Sequence, residues 1–223
     1  MNRTSNLSLH EEIMLLSLRN QKGTVATSFS EFALAGAVLA DLLLDGRITL
    51  DGAKKKKLVD LRNPAPTGDP VIDECLAKMA SAKRRANLQT WVSRLAGIKK
   101  LRHKVARKLC NRGILRADED KVALIFTRKI YPEMDPRPER EIVERMRAAL
   151  LSGDDRVEPR TAALIALAHG GGVLGEALGK KEVNARKKRI KQIVDGDPVG
   201  KATKEAIDAC KAAAMVAITA STT

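Results

Sequence analysis

The sequence predicts a mainly α-helical fold of one domain over residues 1–223, with a central helix bundle surrounded by amphipathic helices and carrying short β-hairpins. Three observations predict it. Aromatic residues make up 2% of the chain against 44% apolar residues, so Leu, Ala, Ile and Val must build the core, which suits packed helices better than an aromatic-rich sandwich. Apolar residues recur at helical spacing in most segments. A length of 223 residues is enough for one sizeable core and does not force a second.

In chain order, residues 9–18 (LHEEIMLLSL) place Leu9, Ile13 and Leu16 on one helical stripe. Ser8 is the expected N-cap, with Glu11 three residues on. After a loop bearing Gly23, FALAGAVLADLLLDG is apolar almost all round, the pattern of a buried central helix stopped at Gly46. RITLDG, the Lys54–Lys57 run and LVDL read as two short strands joined by a basic turn. NPAPTGD, residues 63–69, is a turn whose Asp69 caps the helix VIDECLAKMA. A polar basic stretch, SAKRRAN, leads into a helix holding Trp91.

The most basic element, IKKLRHKVARKLCNR, follows as a helix from Lys99 to Arg112. Ile98, Leu101, Val105 and Leu109 form its apolar stripe, and Lys99, Arg102, Lys104, Arg107 and Lys108 lie largely off it. Gly113 ends it, and ILRADEDKVALIFTRKIYP reads as strand, turn, strand up to Pro132. Ile130 and Tyr131 are expected nearer the tip of that hairpin than Ile125 and Phe126, whose simplest role is core packing. Three or four helices complete the chain: EIVERMRAALL, PRTAALIALAH onward, VNARKKRIKQIV and KATKEAIDACKAAAMVAITA. The order helix, glycine, strand, turn, strand thus occurs around Gly46 and again around Gly113.

Lysine and arginine outnumber acids 41 to 27, a net charge of +14. Such a balance concerns partners and solubility rather than fold, and points to anionic lipid, acidic protein or nucleic acid. Trp91, Tyr131, Phe29, Phe32 and Phe126 are the chain's only aromatics, few for the stacking platforms that single strands require, so nucleic acid is the weaker partner. Cys75, Cys110 and Cys210 lie far apart, without a CxxC pair or a histidine at ligand spacing, so neither a disulfide framework nor a metal site is expected, and a reducing cytoplasmic location fits. The opening segment carries acids within its apolar stretch and does not read as a signal peptide. No run reaches the roughly 18 apolar residues of a membrane span, so any membrane contact is expected to be peripheral.

Two strings imitate catalytic motifs. His169–Gly172 resembles a lipase oxyanion segment, but no G-x-S-x-G elbow supplies the serine. Gly170, Gly172 and Gly175 satisfy G-x-G-x-x-G, with Asp195 near the ribose-ligand distance, yet that fingerprint needs a preceding strand and TAALIALAH repeats at helical spacing. The plainer expectation is a kink or a close helix contact at the glycines, with His169 satisfied in or near the core. GDPVGKA near residue 200 is one residue short of a phosphate loop. With no paired nucleophile and base, metal cluster or cofactor loop, the chain is read as a binding protein without a cofactor.

The basic runs at 54–57, 99–112 and near 189 are each most simply solvated faces. Each cation near an anionic leaflet contributes about 1 kcal/mol, so four give about 4 kcal/mol, near millimolar affinity. Useful membrane residence needs a second contribution, and burying one Ile or Phe adds about 1.5–3 kcal/mol. The hairpin around Phe126, Ile130, Tyr131 and Pro132, beside Arg128 and Lys129, is the candidate for it.

Several segments together resemble the Golgi phosphoprotein 3 family: LSLHEEIMLLSL, LAGAVLADLLLDGRITL, APTGDPVIDECL (the most specific), KVARKLCNRGIL, ALIALAHGGGVL and KRIKQIVDGDP, in the family's order and over almost the whole chain. The resemblance implies a mainly helical domain with a projecting hairpin and no enzymatic activity. It implies a peripheral membrane protein that binds phosphatidylinositol 4-phosphate, or a similar anionic phospholipid headgroup, and serves as an adaptor for the cytosolic tails of membrane proteins. Of the family's headgroup pocket, two basic residues three apart fall on Lys99 and Arg102, a spacing expected to put both on one helix face. The arginine of the family's Leu-Arg-Gly segment falls on Ala35, and its tryptophan has no counterpart near Ala26 and Thr27. The chain is also shorter before Lys99 and lacks a long arginine-bearing N-terminal tail, which points to a bacterial relative. The rival reading is a winged-helix DNA-binding protein, since a basic helix followed by glycine and a hairpin is also that motif's order.

Overall fold

A computed structural model of the chain describes residues 7–19, 23–25, 31–51, 57–122, 126–153, 157–195 and 201–220. Helix α1 (Leu9–Leu16) opens the chain, and a two-residue antiparallel pair follows, β1 (Leu18–Arg19) and β2 (Thr24–Val25). Next come α2 (Glu31–Leu44) and a hairpin of β3 (Ile48–Leu50) with β4 (Val59–Leu61). Three helices succeed it: α3 (Pro70–Ala80), α4 (Leu88–Ala96) and α5 (Leu101–Asn111). The longer hairpin, β5 (Asp118–Val122) with β6 (Phe126–Ile130), pairs Asp118 with Ile130 and Val122 with Phe126. The remainder is α6 (Arg137–Leu151), α7 (Pro159–Gly170), α8 (Leu174–Leu178), α9 (Lys180–Ala185), α10 (Lys187–Asp195) and α11 (Lys201–Ala220). The fold is mainly helical as the periodicity predicts, although the C-terminal part divides into more helices than the three or four expected.

Helix α2 is the axis of the bundle. Every residue from Ala33 to Leu43 is buried, and α11, α4, α1 and α7 pack around it. Small side chains set how close these helices come. A Cβ on Gly36 would stand 2.6 Å from the Ala213 Cβ, and one on Gly170 would stand 2.9 Å from the Ala214 Cβ. The alanine run of α11 therefore nests against α2 and α7 at a separation that larger residues would prevent. Of the kink and the close helix contact expected at the HGGG string, the close contact is found. His169 itself is exposed at the end of α7 rather than held in the core, because the helix surface turns to solvent there. Gly46 and Gly113 follow α2 and α5 at φ +66° and +72°, left-handed values that let the chain leave each helix and enter the hairpin beyond it.

Helix α1 departs from the one-stripe expectation, since all eight of its residues are buried, His10, Glu11 and Glu12 included. Its start is as predicted: the Ser8 N–H donates to Glu11 Oε2 at 2.9 Å. Burial of its charges is possible because distant cations meet them. Lys108 Nζ lies 3.0 Å and Arg112 Nη1 3.2 Å from Glu11 Oε2. Arg145 Nη2 donates to Glu12 at 2.9 Å, and Arg160 Nη1 to buried Asp41 at 2.9 Å. His10 is fully buried between Asp41 (3.6 Å) and Asp69 (3.3 Å). Asp69 also accepts from the Val71 and Ile72 amides as the predicted N-cap of α3, and pairs with Lys108. Unpaired, such groups could not be buried.

Candidate anion-binding groove

Helix α5 has two opposed faces. Leu101, Val105, Ala106 and Leu109 are buried, while Lys100, His103, Lys104 and Arg107 recur three and four residues apart on another face. Lys100, the N-cap, is held at φ +60°, the one left-handed non-glycine among the described residues. The helix begins only at Leu101, so Lys99 precedes the left-handed turn and does not continue the helical face that Arg102 occupies. No acid stands in the first turn, and the partial positive charge of the helix start adds to that of the lysines.

The β5–β6 hairpin forms the opposite wall. Its base is tied down at several points: the Tyr131 N–H donates to Gly23 O at 2.8 Å and the Arg116 N–H to Pro132 O at 2.9 Å, and Leu115 bridges Glu133. Gly23, at φ +60°, is required there, because a Cβ would fall 2.2 Å from the Pro132 nitrogen. The Tyr131 hydroxyl and His103 Nδ1 are hydrogen-bonded at 2.7 Å, fastening hairpin to helix. Between the walls lies an open groove of about 600 Å³ lined by Lys99, Lys100, His103, Lys104, Arg107, Cys110, Ala117, Asp118, Glu119, Lys129 and Tyr131.

Five permanent cations face two carboxylates in this groove. One cation is already engaged, since Lys104 pairs with Glu74, and one carboxylate likewise, since Arg116 pairs with Asp118 at 3.0 Å. Partial burial, with Arg102, Lys129 and Lys100 nearby, lowers the His103 pKa from its ordinary value. His103 is therefore neutral near pH 7 and serves as a hydrogen-bonding group, not a sixth charge. Burial raises the Cys110 thiol, and pushes the buried Cys75 thiol up to about 12, so neither is an activated nucleophile. What the groove can do chemically is accept an anion.

Of the residues singled out from the sequence, Lys99 and Lys129 line the groove together. Arg102 does not, and sits with its Nε 4.0 Å from the Glu31 carboxylate at the start of α2. Ala35 is buried in α2, and positions 26 and 27 lie outside the described residues. Arg128 is exposed and bound to Asp120 at 2.7 Å across the hairpin. The placement of Ile130 and Tyr131 near the tip is corrected: the register puts Ile130 opposite Asp118, at the open end of the ladder, and Tyr131 is 5% exposed. Val122 and Phe126 pair at the other end of the ladder, so Ile130 and Tyr131 are at the hairpin's base, where Tyr131 packs against α5 instead of facing outward. Ile125, the Phe126 side chain and Lys54–Lys56 lie outside the described residues, while Lys57 is 3.8 Å from Asp208. The basic run near residue 189 leaves Lys187, Lys188 and Lys191 exposed on α10, away from the groove.

Sequence reading alone did not assemble Lys100, His103, Asp118 and Glu119 into one site. The helical spacing Lys100, His103, Lys104, Arg107 carried half of that signal; the hairpin wall is a tertiary juxtaposition with no local signature.

The fold and groove define a class: a mainly helical protein with a hairpin-walled basic groove. The match of residues 9–210 to the Golgi phosphoprotein 3 (GPP34) family model makes the assignment specific, and the chain belongs to that family. It is 25% identical over 217 residues to vacuolar protein sorting-associated protein 74 of the fungus Eremothecium gossypii, a match covering 82% of this chain and 65% of the relative. The matched part thus spans somewhat less than two thirds of that protein. A bacterial origin has no support in this fungal match. Among the described residues, no helix is long and apolar enough to cross a membrane.

Proposed function

We propose that this protein is a non-enzymatic peripheral membrane protein of the cytoplasm whose α5–hairpin groove binds an anionic phospholipid headgroup. The observation that carries the reading is the convergence of Lys99, Lys100, Lys104, Arg107 and Lys129 on one open groove against only two carboxylates. Phosphatidylinositol 4-phosphate, or a similar headgroup, is the ligand that family membership favours, with Arg102 at the rim of the same helix and Arg128 on the hairpin as auxiliary cations. An adaptor role toward the cytosolic tails of membrane proteins is the corresponding partner proposal. Tyr131 acts here as the anchor that holds the hairpin wall against α5.

Co-sedimentation with vesicles tests the reading. Binding to anionic but not neutral vesicles is expected. Lys100→Glu with Arg107→Glu reverses the groove, and Lys99→Glu with Arg102→Glu reverses the pair matched to the family pocket. Loss in the first double variant alone assigns the groove; loss in the second alone, reproduced by Arg102→Glu singly, moves the headgroup to the α2 side of α5. Equal binding to both vesicle types, or none, refutes the proposal. A shift of duplex DNA at physiological salt without vesicle binding would favour the DNA-binding reading instead.

A further inference from the structure

A second basic concavity lies apart from the groove, where the α3–α4 connection meets α4. It measures about 440 Å³ and is lined by Lys78, Ala82, Lys83, Arg84, Trp91 and Arg94. Four of the six lining residues are cations and none is an acid. Lys78, Lys83 and Arg84 make no ion pair among the described residues, and the Arg94 guanidinium rests over the Trp91 ring at 4.9 Å. By contrast Arg85, next in the chain, bonds both Asp51 and Asp60.

Those Arg85 bonds bear on the site because they hold the connection in place. Arg85 fastens it to the β3–β4 hairpin, the Val59 N–H donates to Ala86 O at 2.9 Å, and the Asn87 side chain caps α4 through the Thr90 N–H at 2.9 Å. Lys83 and Arg84 are thus presented from an anchored backbone, which lowers the ordering cost of binding. Trp91 adds an independent observation. It is 3% exposed, and its indole N–H is buried without an acceptor, a costly omission in a folded protein.

We infer that this concavity is a second anion site, distinct from the α5–hairpin groove, and that its ligand is a phosphate ester or polyphosphate. A carboxylate brings one charge to four cations. A phosphate monoester brings about −1.5 to −2 and three acceptor oxygens, which the forked guanidinium groups of Arg84 and Arg94 can engage in pairs. Trp91, its indole N–H without an acceptor, lines the same concavity as both arginines. The volume lies within the range of small-molecule pockets, leaving room for the group that the phosphate is attached to.

Trp91 is the chain's one tryptophan, so its fluorescence reports on this site directly. The full chain is titrated with sodium tripolyphosphate, against sodium chloride at matched ionic strength, and separately with phosphatidylcholine vesicles with and without phosphatidic acid. A saturable change with tripolyphosphate is expected if the ligand is soluble, and a change only with phosphatidic acid vesicles if it is a lipid headgroup. In either case Lys83→Ala with Arg84→Ala should weaken binding at least about tenfold, the equivalent of one charged hydrogen bond. Lys100→Ala with Arg107→Ala should leave the response intact, which separates this site from the groove whatever becomes of the groove's own proposal. Lys78→Ala, at the end of α3, repeats the test should the double variant melt at lower temperature. No response to either probe, a response equal in the Lys83/Arg84 variant, or one lost only in the groove variant overturns the inference.

Discussion

Replacing Arg160 with methionine tests the claim that buried charges of α1 and α2 are tolerated only because cations from distant helices reach them. Arg160 Nη1 donates to Asp41 Oδ1 at 2.9 Å, its Nε lies 3.8 Å from Glu12, and its other terminal nitrogen donates to Leu7 O. The Asp41 and Glu12 side chains are each 4% exposed and that of Arg160 is 30% exposed. Breaking a buried pair by removing one partner costs about 3–5 kcal/mol. Asp41 keeps the Leu9 N–H at 2.9 Å and Glu12 keeps Arg145 at 2.9 Å, and the part-exposed arginine leaves a route for water, so the lower end of that range applies, about 3 kcal/mol. For a chain of this size that lowers Tm by roughly 6–12 °C. Urea unfolding followed by circular dichroism measures the loss. Adding Asp41→Asn to Arg160→Met removes the stranded charge and should recover part of the stability, a positive coupling in a double-mutant cycle. A loss below about 1 kcal/mol, or a double variant less stable than the single, would refute the account.

Three further predictions rest on single features. Burial alone would lower the His10 pKa, but Asp41 and Asp69 override it and leave it raised; its contribution is thus full below the unfolded value near 6.5 and is lost as pH rises through the folded value. Urea midpoints of the wild type should fall over that window, and His10→Gln should remove that part of the slope. Glu139 is pushed up to about 7 by burial and by Glu133 beside it, so its charged form disfavours the fold; Glu139→Gln should raise Tm at about pH 8.5 and leave it little changed at about pH 5. Gly36→Val forces a side chain into the space held by the Ala213 Cβ and should cost about 1–3 kcal/mol, read from chemical unfolding.

Burial of charge also revises what the net +14 means. The run from Lys99 to Arg112 looks uniform in sequence, yet the fold divides it. Lys108 and Arg112 are drawn inward by Glu11 and Asp69, whereas Lys99, Lys100, Lys104 and Arg107 line the groove. Arg145 and Arg160 belong with the first group. Part of the basic excess is therefore structural, and total charge overstates what a ligand meets.

Local chemistry was legible in the sequence wherever it acts within a few residues. The Ser8–Glu11 start, the Asp69 cap, and the glycines that end α2 and α5 all depend on neighbours along the chain, and each is found as read. The all-round apolar pattern of α2 likewise announced a central helix. Tertiary structure alone decided that α1 is buried on every side, that Tyr131 anchors the hairpin instead of tipping it, and that Lys99 and Arg102 are parted by a left-handed turn. It also decided which cations remain available. A lysine looks the same in sequence whether a carboxylate a hundred residues away will meet it or not, because electrostatic partnership depends on distance in space and on exclusion of water, and periodicity encodes neither.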